Sequence, residues 1–64
     1  MENQVSKLFD EMQNILNDSQ NDVTKFCEGN NSAGTRVRKT MQAIKALAQE
    51  LRLEVQEQKN STFA

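Results

Sequence analysis

Sixty-four residues, 36% of them apolar, make one small domain whose own core is marginal, since a chain this size buries only about 60% of its unfolded surface. The single cysteine, Cys27, excludes an intrachain disulfide, and the absence of histidine removes the usual zinc cages. The formal charge of -1 argues against a simple polycation, and self-association is the remaining route to stability.

The charge is unevenly placed. Residues 1–29 set Lys7 and Lys25 against Glu2, Asp10, Glu11, Asp18, Asp22 and Glu28, a balance of -4. Residues 30–64 set Arg36, Arg38, Lys39, Lys45, Arg52 and Lys59 against Glu50, Glu54 and Glu57, a balance of +3. The opening Met1-Glu2-Asn3-Gln4 lacks the basic and then apolar order of an export signal. No run approaches the roughly 18 apolar residues of a membrane span. A cytoplasmic protein with a reduced thiol is expected.

The first segment carries its apolar residues at helical spacing. Val5, Met12, Ser19 and Phe26 fall on heptad position a, Leu8, Ile15 and Asp22 on d, and Phe9, Leu16 and Val23 on e. This is a stripe wide enough to pack against more than one neighbour, weakened at Ser19 and Asp22. A helix over about residues 3–27 is predicted. The cluster Glu28-Gly29-Asn30-Asn31-Ser32 is the break. Gly29 suits the left-handed residue beyond a helix, and Asn30 or Asn31 suits the N-cap of the next.

The second segment repeats the design. Val37, Ile44, Leu51 and Gln58 lie on a, Thr40, Leu47 and Glu54 on d, and Met41, Ala48 and Val55 on e. A helix over about 31–59 is predicted, followed by a frayed tail at 60–64. The short turn at about 28–31 makes the fold an all-α antiparallel hairpin of two long helices. Two helices cannot enclose a stripe three positions wide. The expectation is therefore a homo-oligomer, in the smallest case a dimer forming a four-helix bundle.

Arg38, Lys45, Arg52 and Lys59 recur at intervals of seven on position b of the second helix. The row spans roughly 31 Å at helical rise. The residues four positions beyond its first three members are Gln42, Gln49 and Gln56, so its own helix does not neutralise it. Such a row suits a series of phosphates. It also suits a solvated or paired face bordering the buried stripe, with Glu11 and Asp18 of the first helix as partners across the hairpin or the dimer.

Arg36, Arg38 and Lys39 crowd the start of the second helix beside Gly34. Here they run against the helix dipole, at an end where phosphate is readily bound. Close packing of the turn explains Gly34 equally well. Cys27 reads as a semi-buried thiol near a turn. Glu50, Glu54 and Glu57, without histidine, make poor metal ligands, and two helices offer no concavity for acid–base catalysis. No enzyme, cofactor or metal is expected.

The stretch Glu28-Gly29-Asn30-Asn31-Ser32-Ala33-Gly34-Thr35-Arg36-Val37-Arg38-Lys39-Thr40-Met41-Gln42, and its continuation from Ile44 to Glu57, resembles the bacterial histone-one-like proteins. This is the linker-histone-like family that includes chlamydial nucleoid-condensing proteins. The likeness is closest over about residues 26–59 and looser over the first helix. It implies a nucleoid protein that binds DNA without sequence specificity, with Arg36, Arg38, Lys39, Lys45 and Arg52 as matching basic positions. Longer members carry a Lys- and Ala-rich tail, whereas this chain reads as a tail-less relative ending Asn60-Ser61-Thr62-Phe63-Ala64. Thr40 and Cys27 stand where the family has Gly and an aromatic residue, a difference of local packing. The competing expectation is an oligomerisation module that does not touch nucleic acid.

Overall fold

Each helix begins at an asparagine. The computed structural model describes residues 3–62, with side chains over 3–60. Helix α1 spans Gln4–Cys27 and helix α2 spans Asn31–Thr62. Extended Asn3 accepts, through its side-chain oxygen, a hydrogen bond from the backbone N–H of Val5 at 2.8 Å. The Asn30 side chain accepts one from the N–H of Ala33 at 3.1 Å. Each satisfies a donor that a first helical turn leaves open. Of the two asparagines suited to capping α2, the first caps it and the second is its first helical residue.

Between the helices the chain reverses within Glu28-Gly29-Asn30. Gly29 has φ of 105°, a left-handed conformation that costs a residue with a Cβ about 1–2 kcal/mol. Its N–H donates to the Phe26 carbonyl at 2.9 Å, and the Asn30 N–H donates to the Lys25 carbonyl at 3.0 Å. These two bonds form a Schellman motif, which ends α1 and aims the chain back along it. At the other end, α2 runs past the expected limit near residue 59 to Thr62. Neither Gly nor Pro interrupts 59–62, so nothing local stops the helix there. Met1, Glu2, Phe63 and Ala64 lie outside the described residues.

The heptad pattern sets the packing. Positions a and d of the two helices face each other: Leu8 is buried, and Val5, Met12, Ile15, Val37, Ile44, Leu47 and Leu51 are half-buried. Ser19, at a gap in the stripe, is buried and donates its hydroxyl to the Leu16 carbonyl at 2.8 Å. That bond satisfies the polar atom inside its own helix. Asp22, the other gap, meets Arg36 across the turn, with Nε and Oδ1 2.9 Å apart. At the open end the side-chain amides of Asn3 and Gln58 exchange two hydrogen bonds, each 2.9 Å long. The ends of the packed region are thus held by polar side chains and its middle by apolar ones.

Near the turn Ala33 is fully buried. A Cβ built on Gly34 would lie 2.6 Å from Cδ1 of Phe26. The lack of a side chain at Gly34 therefore lets the Phe26 ring lie against α2. Replacing Gly34 by Ala improves helix propensity by about 1 kcal/mol but displaces that ring. In a double-mutant cycle followed by urea unfolding, Gly34→Ala should stabilise the Phe26→Ala background and fail to stabilise the wild type. Equal effects in both backgrounds would remove the ring contact as the reason for glycine. Gly29→Ala should destabilise by about 1–2 kcal/mol in the same assay.

Candidate nucleic-acid interface

The antiparallel arrangement sorts the remaining heptad positions by side. Phe9 and Val55, both at position e, line one open apolar depression together with Lys59. Val37, Met41, Arg38 and Lys45 line a second depression further along α2. Position e of both helices therefore lies on one side of the hairpin, and the position-b cations of α2 border it. Position g, with Glu11 and Asp18 on α1 and Glu50 and Glu57 on α2, belongs to the opposite edge, as an antiparallel pair requires.

This sorting bears on the expected pairing of the basic row within the hairpin. Arg38, Lys45, Arg52 and Lys59 are all exposed. Among the described residues, Arg38, Lys39, Lys45 and Lys59 make no ion pair and no side-chain hydrogen bond. Arg52 reaches only the Gln49 side-chain oxygen, at 3.4 Å. The expected pairing of this row with Glu11 and Asp18 inside the hairpin does not form, because those acids sit on the other edge. The row is a set of solvated cations on an outer corner of α2, about 10 Å apart.

Arg36 stands apart from it. The sequence groups Arg36 with Arg38 and Lys39, but Arg36 occupies position g and turns back to Asp22. Lys39 lies with Arg38, Thr35 and Gln42 on the outward face. The start of α2 therefore offers Arg38 and Lys39 outward and uses Arg36 to hold the hairpin. Gly34 is accounted for by the Phe26 ring, with no need for a ligand approaching the backbone. Cys27, expected to be semi-buried, is instead exposed at the end of α1.

Other chemistries find little support in the surface. Among the described residues no three metal-ligating side chains come together. No helix is long and apolar enough to cross a membrane. One depression, about 620 Å³, is open and mostly apolar, lined by Val5, Phe9, Leu51 and Val55 without a cluster of acids or nucleophiles. Sequence reasoning missed the Asn3–Gln58 amide pair. Its only signal is a glutamine at an a position of α2, where an apolar residue is the norm.

Over residues 6–61 the chain matches the family model described as histone H1-like protein Hc1. Neither a comparison with curated proteins nor one with solved structures gives a match.

The pairing pattern makes a stability prediction. Arg38→Gln and Lys45→Gln should leave the free energy of unfolding within about 0.5 kcal/mol of wild type, as substitutions of unpaired surface side chains do. Arg36→Gln and Asp22→Asn should each destabilise. Their double-mutant cycle should show favourable coupling of no more than about 1 kcal/mol, because the pair is partly exposed. Loss of stability at Arg38 or Lys45 would mean that the row holds the fold.

Proposed function

The chain belongs to the histone H1-like Hc1 family, and we propose that it is a non-catalytic nucleoid protein of the cytoplasm that binds the phosphate backbone of DNA through α2. The observation that carries this reading is the row Arg38, Lys45, Arg52 and Lys59. These four cations keep one corner of a single helix, and among the described residues no acid pairs with them. Unpaired cations destabilise a fold slightly by mutual repulsion, so the row has no evident use within the protomer. Each can displace a condensed counterion from a phosphate, and that release drives sequence-independent binding.

Lys39 extends the same face at the start of α2. Arg36 belongs to it by sequence position and contributes mainly through the helix end it steadies. Gln42, Gln49 and Gln56, at position f beside the row, supply neutral groups able to hydrogen-bond phosphate and sugar. The hairpin carries no short recognition helix set at an angle to a support helix, so base edges go unread. The acids of α1 and the g edge of α2 form a surface that avoids DNA. With a chain charge of -1, one protomer binds weakly, and a homo-oligomer multiplies the contacts.

A second reading is favoured by one observation, the exposed apolar face at position e. In that reading the hairpin is purely an assembly module. The same measurement separates the two. Fluorescence anisotropy of a labelled duplex, titrated across salt, should give a log–log slope of about -0.9 per phosphate contact, hence about -3.6 for four. Duplexes of unrelated sequence should bind alike. The combined variant Arg38→Glu, Lys45→Glu, Arg52→Glu should lose binding while its far-ultraviolet circular dichroism stays helical. Absence of binding at low salt, or undiminished binding by the variant, would overturn the DNA reading.

A further inference from the structure

We propose that a second copy of this chain covers the face made by Phe9, Leu16, Val23, Met41 and Val55, with each α1 lying on the partner's α2. The face is apolar and open: Phe9 is 52% exposed, Leu16 45% and Met41 41%. These side chains come from both helices and form one surface, as the depression shared by Phe9 and Val55 shows. Among the described residues the buried apolar ones are Leu8 and Ala33, and no large side chain is fully buried. The protomer thus leaves much of its apolar surface in water while making little core of its own.

Size and charge select the occupant. The molecule measures 53 × 20 × 11 Å, a slab one helix thick. Its broad side is large enough for the roughly 800 Å² per partner that a standard stable interface buries. A matching slab of the same chain supplies the same length, the same apolar spacing and a flat counter-surface. Stacking two slabs makes the two-layer arrangement that small helical domains need.

Charge then chooses between the two symmetric ways of stacking. The b row on α2 is basic, whereas the b row on α1 is Ser6, Gln13, Gln20 and Cys27, without charge. If α2 lay on the partner's α2, two basic rows would face each other across packed helices. Helix packing sets that separation near 10 Å, about one Debye length at 0.1 M salt. If α1 lies on the partner's α2, each basic row meets the neutral row instead. This second arrangement avoids the like-charge contact. It also puts both turns at one end of the dimer and the two basic rows on opposite long edges. The consequence for nucleic acid rests on the function proposed above: one dimer presents two separate phosphate-binding edges and joins two duplexes.

Three measurements test this. Sedimentation equilibrium should give a dimer at micromolar concentration. Leu16→Asp should weaken the dimer at least tenfold, and Leu53→Asp, a change at an exposed leucine on the outer face, should leave it intact. A wild type that stays monomeric at about 100 μM, a concentration that detects even weak pairs, would overturn the proposal. Spin labels at the turn, in the Cys27→Ser, Glu28→Cys chain, test the stacking without altering the apolar face. Turns at one end should place the labels about 20 Å apart, from helix spacings of 8–10 Å plus the label arms. A separation near the 53 Å length of the molecule would overturn the α1-on-α2 arrangement. Finally, an immobilised duplex should capture a second, labelled duplex when protein is added. Capture failing while single duplexes bind would overturn the two-edge consequence. Loss of all duplex binding would instead remove the DNA reading, leaving the dimer and its geometry standing.

Discussion

Thickness governs this protein. Two helices side by side form a layer 11 Å deep, and a layer of one helix has no interior. The a and d positions can turn toward each other, but any apolar residue beyond that seam is left at the surface. The seam therefore contains half-buried leucine, isoleucine and valine, and its most buried members are Leu8, Ala33 and Ser19. A third apolar line on each helix stays largely exposed beside this contact, and its presence in both helices calls for an explanation outside the protomer.

The same geometry separates charge. An antiparallel pair assigns e and b to one side and g to the other, so acids and bases close together in composition end on different edges. Arg36 crosses over at the turn, where the chain brings α1 and α2 together whatever their register. A nearly neutral total thus coexists with a solvated basic corner, and the charge balance of the whole chain describes neither surface.

Much of the fold is legible in the sequence because seven-residue recurrence is a strong and local signal. The lines through Leu8 and Ile15, and through Val37, Ile44 and Leu51, reveal two helices and the faces they share. Gly29 and Asn30 mark the turn because backbone conformation and capping each restrict the residue types allowed. The gaps at Ser19 and Asp22 read as defects, and only the structure shows that one is buried with its hydroxyl satisfied and the other paired. Arg36 illustrates the limit at the candidate site. Its neighbours Arg38 and Lys39 share its charge, but position g sends it toward Asp22, fourteen residues back, and spacing within one helix carries no information on that contact. The exposed side of the basic row was legible as unneutralised within its own helix. That α1 leaves it unneutralised too depends on which edge each acid occupies in the hairpin.

The amide pair between Asn3 and Gln58 holds the open end of the hairpin with neutral groups. Hydrogen bonds between amides neither titrate in the range where carboxylates and imidazoles do nor weaken as counterions accumulate. Salt strong enough to screen the cations of the basic corner therefore leaves this closure in place. Screening of the exposed cations and opening of the hairpin answer to different variables, so added salt can quench the charge of the basic corner and leave the shape of the hairpin intact.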